Sequence, residues 1–235
     1  MRDKFVGDIG DFGKYGLLRA LCGKDLGLGV VWYFVRDRMV DYLNEPDRFE
    51  ACDQELFGVL KNIVNGCQRK TTSIAASDLL PSGPVFFEDE VPADGRNRTE
   101  WLDRALEKTS RCRVVFLDPD NGLTNAKQPT VKHVSLEEVQ RFVSEDKSVV
   151  IYHHLPRRRH DDEVKAWRRE LTRSFDGVPV YALRFRPYSP RAYFIIPRPA
   201  DAARVDDRIR TFLDGPWGQV RPEGRHFEAV SVNTL

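Results

Sequence analysis

Short apolar runs alternate with stretches of helical periodicity along most of the 235 residues. β-Branched and aromatic residues cluster at 29–35 (GVVWYFV), 71–75 (TTSIA), 84–87 (PVFF), 112–117 (CRVVFL), 148–153 (SVVIYH), 178–185 (VPVYALRF) and 192–196 (AYFII), and each run reads as a strand. Apolar residues spaced three and four apart predict helices over 11–22, about 47–65, 97–109, 135–144, 161–174 and 201–213. The runs at 112–117 and 148–153 are nearly continuous, as in parallel strands covered on both faces. Alternating strand and helix implies a doubly wound, mostly parallel sheet of about seven strands. Only the turn RPYSPR separates 178–185 from 192–196, too short for a crossover helix, so these two strands should end the sheet as an antiparallel hairpin. No repeat, low-complexity tract or linker breaks the pattern, and residues 1–235 read as a single α/β domain. Residues 35–50 and 88–97 are expected as excursions, and 118–134 as a long functional loop.

Composition narrows the class. With 41% apolar residues and 14 phenylalanines the chain can bury a sizeable core. No uncharged apolar run is long enough to span a membrane. The start, MRDKFVGDIGDFG, has charges and glycines where an export signal needs an apolar stretch, so a cytoplasmic protein is expected. Cys22, Cys52, Cys67 and Cys112 stand singly, which favours reduced thiols over a zinc site. The net charge of +1 hides an asymmetry: residues 1–140 carry a balance of −4 and residues 141–235 a balance of +5. Arginine dominates the basic half, and its planar fork suits phosphate, so a polyanionic partner is expected.

Four places carry candidate chemistry. VVFLDPDNGL (114–123) puts Asp118 just beyond a buried strand, at the edge where open α/β sheets bind ligands, with Asp120 and Asn121 in the turn that follows. SVVIYHHLPRRRH (148–160) ends a second buried strand in Tyr152, His153 and His154. Adjacent strand residues point to opposite faces, so one histidine of the two should face the pocket. FVGDIGDFGKYGLLRAL (5–21) packs four glycines with Asp8, Asp11, Lys14 and Tyr15 at the start of a helix. Capping explains one aspartate and one glycine there, and the remaining polar residues are read as substrate-binding. It is neither a dinucleotide fingerprint nor a P-loop. Arg157, Arg158 and Arg159 follow the histidines and precede a helix start, where positive charge opposes the helix dipole unless an anion is bound. Arg184, Arg186 and Arg191 flank the final hairpin with Tyr188 among them, the composition of a nucleic-acid track.

Together these places resemble the bacterial large-subunit rRNA adenine methyltransferases, whose domains are class I methyltransferase-like and end in such a hairpin. GDIGDFGKY (7–15) is similar to their G-N-x-A-D-x-x-K-H, keeping Gly7, Asp11 and Lys14. Asp118-Pro119-Asp120-Asn121 resembles their D-P-P-Y, Ile151-Tyr152-His153 their W-Y-P, and Arg186-Pro187-Tyr188-Ser189 their R-P-x-S. The resemblance implies a nucleic-acid substrate and S-adenosylmethionine. Two departures oppose the second implication. VVWYFVRDRMVDY (30–42) lacks the glycine turn that holds S-adenosylmethionine in the family, and a carboxylate and an amide replace the second proline and the aromatic of D-P-P-Y.

Loss of those features leaves a mouth suited to hydrolysis of an N-glycosidic bond, whose oxocarbenium-like transition state a carboxylate stabilises. Uracil-DNA glycosylases are locally similar, with an Asp-Pro turn after one strand and a histidine-bearing turn after another. Phage-defence glycosylases that remove glucosylated hydroxymethylcytosine are a further resemblance. The leading expectation is therefore a DNA glycosylase that flips a modified base and needs no cofactor or metal. Asp118 or Asp120 would activate water or stabilise the cation, Asn121 would orient the base or water, and His153 or His154 would support the leaving base. Asp118, as a strand-end carboxylate, is expected to contribute little to the core. The alternatives are an S-adenosylmethionine-dependent adenine methyltransferase and an inactive nucleic-acid-binding module on the same scaffold.

Overall fold

The computed structural model describes residues 6–33, 46–66, 70–77, 79–80, 83–155, 160–221 and 224–230. In chain order the elements are α1 (Ile9–Cys22), β1 (Leu28–Trp32), α2 (Pro46–Phe49), α3 (Gln54–Asn65), α4 (Thr71–Ala75), β2 (Val85–Phe87), α5 (Gly95–Lys108), β3 (Val114–Asp118), β4 (Gly122–Thr124), β5 (His133–Ser135), α6 (Leu136–Ser144), β6 (Ser148–His154), α7 (His160–Ser174), β7 (Tyr181–Phe185), β8 (Arg191–Ile196), α8 (Ala202–Asp214) and β9 (Phe227–Ala229). Seven strands form one mixed sheet in the order β2-β1-β3-β6-β8-β7-β9. The first four run parallel, β8 lies antiparallel to β6 and β7, and β9 is antiparallel to β7.

The apolar runs explain the centre of the sheet. Val30, Phe116 and Val150 stand in register across β1, β3 and β6, and they pack with α1, α3 and α8. Their neighbours Val31, Leu117 and Ile151 point the other way, into a second cluster with α5, α6 and α7. Each central strand is thus buried on both sides, so these strands need continuous rather than alternating hydrophobicity. No helix among the described residues is long and apolar enough to cross a membrane.

Two expectations change, and one strand is added. Residues 71–75 form the short helix α4, not a strand: Thr71 and Ile74 are the buried positions, a spacing of three that the β-branched composition obscures. The strand count is met instead by β9, which pairs Phe227 with Phe185. Residues 118–134 are not a bare loop, because β4 and β5 pair in parallel within them.

Arg98 holds this segment in place. Its guanidinium donates to both carboxylate oxygens of Glu138 (2.7 and 3.1 Å) and to the carbonyls of Thr130 and His133 (3.0 and 2.5 Å). Glu138 also closes the capping box of α6 with Ser135. Gly122, at φ +106°, lets β4 lie directly on β6, since a Cβ there would stand 2.7 Å from the Cα of His153.

Candidate functional site

Helix α1 begins where Asp8 accepts the backbone N–H of Asp11 (2.8 Å), and the Asp11 carboxylate reaches back to accept the N–H of Gly7 (3.0 Å). Gly10, Gly13 and Gly16 then form one face of the helix. A Cβ on them would lie 1.6 Å from Arg191 Nη1, 2.8 Å from the Phe185 ring and 2.3 Å from the Trp217 ring, respectively. The glycines therefore serve close packing of α1 against the sheet and against Trp217 beyond α8, an account that capping alone does not give.

That close approach delivers Lys14 to the strand ends. Its ammonium lies 2.9 Å from Asp11 Oδ1 and 2.8 Å from Asp118 Oδ2, with all three side chains buried. Burial works to lower the lysine pKa, but the two carboxylates outweigh it and hold the ammonium well above its usual range. Burial also raises Asp11 to about 6, against the pull of Lys14. The expectation that Asp118 contributes little to the core is corrected here: it is 3% exposed and paired with a buried cation.

Aromatic groups enclose this pair. The Lys14 ammonium is 5.6 Å from the Tyr15 ring centre, 5.8 Å from Phe116 and 5.9 Å from Tyr152. The hydroxyls of Tyr15 and Tyr193 and the indole N–H of Trp32 are buried without a hydrogen-bond partner among the described residues. Arg191, also buried, donates through Nε to the carbonyl of Ser189 (3.0 Å) and lies against Gly10. Sequence reasoning passed over Trp32 and Tyr193. The signal for Tyr193 was the period-two spacing from Arg191, which puts both on the face that carries Tyr152.

The cluster sits at the carboxyl ends of β1 and β3, which are neighbours in the sheet. Open α/β sheets take ligands in a crevice outside this edge. Its rim is built by the turn after β3 and the end of β6. Asp120 is half-buried and Asn121 exposed; the Asn121 carbonyl accepts the N–H of His154 (3.2 Å), and its own N–H donates to the Lys132 carbonyl (2.8 Å). His154 is exposed and shares the Tyr152 face. Desolvation first, then Arg191, lowers its pKa against the opposing pull of Asp120.

The two histidines do diverge. His153 points into the other layer, beside Trp167 and Phe194 (5.7 and 5.9 Å between rings), where its Nδ1 accepts the N–H of Leu123 at 3.0 Å. Burial depresses its pKa to about 4, with Glu163, 3.4 Å from Nε2, acting in the opposite direction. His153 is thus a neutral packing residue at pH 7, separated from Asp118 by the sheet.

The arginines are also divided. Arg191 alone among those described joins the buried cluster. Arg184 donates through Nε to Glu228 (2.5 Å) and also pairs with Asp161, on the face opposite Arg191. Arg186 pairs with Glu228 at 3.1 Å. Arg157, Arg158 and Arg159 lie outside the described residues. Behind this edge lie buried hydroxyls, a buried ion pair and aromatic rings, with the more accessible Asp120 carboxylate and His154 imidazole in front of them. No family model matches this sequence, and no curated protein matches it.

Proposed function

We propose that this protein is a hydrolase that cleaves the N-glycosidic bond of a nucleotide drawn into the crevice, acting on a modified base in DNA. The observation that carries the reading is the division of labour between Asp118 and Asp120, two residues apart at the end of β3. Asp118 is tied to Lys14 in the floor (2.8 Å), and Asp120 stands half-buried on the rim with His154.

The chemistry follows from that division. Asp120 accepts the proton of an attacking water, whose oxygen bonds to the sugar C1′ while the bond from C1′ to the base nitrogen breaks. The electron pair leaves with the base, and the N–H of neutral His154 donates a hydrogen bond to it. The two carboxylates of Asp11 and Asp118 outnumber the Lys14 ammonium, and this fixed excess of negative charge needs no reorganisation as the sugar becomes cationic, which is the form of stabilisation a low-dielectric site makes strong. Half-buried Tyr152 supplies a ring face for a base withdrawn from the stack, Tyr15, Tyr193 and Asp11 back it from the buried cluster, and Asp8 and Asn121 flank the mouth.

On this reading the scaffold is doubly wound and class I methyltransferase-like. Helices on both sheet faces, and β8 entering antiparallel between β6 and β7, support it. S-Adenosylmethionine is another matter. The end of β1 is filled by Trp32 and Tyr33, both fully buried and packed on Phe86 and Trp101 (4.7 and 5.0 Å between rings). These residues do not fit that ligand as the resembled family holds it. A cytoplasmic location accords with a nucleic-acid substrate.

The test is to incubate the protein with a panel of DNAs that includes glucosylated hydroxymethylcytosine phage DNA and an unmodified control. Abasic sites, scored with an aldehyde-reactive label, are expected on a modified DNA alone. Methyl transfer from labelled S-adenosylmethionine, or binding with neither reaction, would replace this reading with the methyltransferase or the inactive module.

A further inference from the structure

The tip of the β7–β8 hairpin holds a side chain that the proposed reaction leaves unused. Tyr188 is 47% exposed, and only it and Val220 are exposed large apolar side chains among the described residues. Its backbone lies at φ +57°, a left-handed conformation. The other such non-glycine residue among those described is Asp146, a type that tolerates this region, whereas an aromatic there is strained. Strain of this kind persists where surrounding structure imposes it, and it concentrates at binding and catalytic sites.

The surroundings of Tyr188 show what the strain achieves. The guanidinium of Arg48 lies 5.5 Å from the Tyr188 ring centre and 5.0 Å from that of Phe49. Phe49 in turn lies 5.1 Å from the ring of His226, which is buried. A cation shared by two rings that themselves lie 6.2 Å apart, with His226 packed on the inner one, holds the tyrosine in place. The hairpin itself is anchored to the rim of the crevice: Leu155 N–H donates to the Pro190 carbonyl (3.2 Å), and Arg191 pairs with His154 across β8 and β6.

We infer that Tyr188, braced by Arg48 and Phe49 at the rim of the crevice, is a stacking platform for an unpaired nucleobase beside the reacting nucleotide. The inference rests on the nucleic-acid reading above, but on binding and not on turnover. Stacking on an aromatic face tolerates any base, so the platform would add affinity without sequence preference.

The experiment measures binding of a fluorescein-labelled single strand of about eight thymidines and of an equally long abasic deoxyribose-phosphate strand, a length within the range one binding site covers. Tyr188→Gly, which also relieves the left-handed backbone, should keep the thermal midpoint and weaken oligothymidine binding by about tenfold, the loss of one stacked base. Tyr188→Trp should retain the affinity, and the abasic strand should bind wild type and Tyr188→Gly alike. Equal oligothymidine affinity for wild type and Tyr188→Gly, or no binding by the wild type, overturns the platform. Tyr188-dependent binding without abasic-site formation on any DNA leaves the platform standing and removes only the hydrolase.

Discussion

Lys14 Nζ lies 2.8 Å from Oδ2 of Asp118, a residue 104 positions further along the chain, and both side chains are buried. This contact fastens α1 to the end of β3 and gives the crevice its floor. Removing one partner of a buried pair strands the other charge, which is the costly event. Lys14→Met leaves Asp11 and Asp118 facing each other and should cost about 3–5 kcal/mol in urea unfolding. Asp118→Asn still leaves Lys14 with Asp11, so its cost should be about 1.5–3 kcal/mol, the worth of a hydrogen bond to a charged group. Midpoints within error of wild type for both variants would remove this pair from the account of stability.

Asp11 and His153 should oppose each other in the acid range. Asp11 is raised from 3.8 to about 6, so its contribution to stability is full below pH 4 and is lost as pH rises through 6. His153 is lowered from 6.5 to about 4, so its contribution is full above pH 6.5 and is lost as pH falls through 4. Between pH 4 and 6 each group alone tilts stability by at most about 1.4 kcal/mol per pH unit, in opposite senses. Urea unfolding of Asp11→Asn should show stability climbing more steeply with pH than in wild type. His153→Asn should show the reverse slope. Parallel curves for all three proteins would contradict the assigned directions.

Two mid-helix glycines should respond oppositely to alanine. Gly58 in α3 has no atom within 4 Å of where a Cβ would stand, so Gly58→Ala should stabilise by about 0.5–1 kcal/mol through helix propensity and loss of unfolded-state entropy. At Gly13 the same Cβ meets buried Phe185 at 2.8 Å, so Gly13→Ala should destabilise by about 1–3 kcal/mol despite the same gain in propensity. Chemical denaturation of the two variants side by side checks the close docking of α1.

The fold was legible where pattern and burial agree. The continuous apolar runs of β3 and β6 announce strands covered on both faces, and the RPYSPR turn announces the antiparallel hairpin. Thr71–Ala75 misled because three of its five residues are β-branched while its burial follows a helical spacing. The polar part of the site was legible residue by residue, since strand ends and the capped α1 put Asp118, Tyr152, Asp11 and Lys14 in view. What pairs with what was not, because the Lys14–Asp118 and Gly10–Arg191 contacts join distant stretches of chain. Strand alternation foretold that the histidines would separate. Only the packing of Trp167 and Leu123 on His153 identifies His154 as the one on the crevice side.

The most direct test of hydrolysis at this rim compares abasic-site formation by wild type and Asp120→Asn on the modified DNA that the wild type cleaves best. On the proposed mechanism Asp120 takes the proton of the attacking water, so the variant should be slower by at least about a hundredfold, the usual worth of a positioned general base. Its unfolding midpoint should stay near that of wild type, because Asp120 is a half-buried rim residue and not part of the buried pair. Equal rates for the two proteins, or no abasic sites from the wild type on any DNA of the panel, would contradict the account.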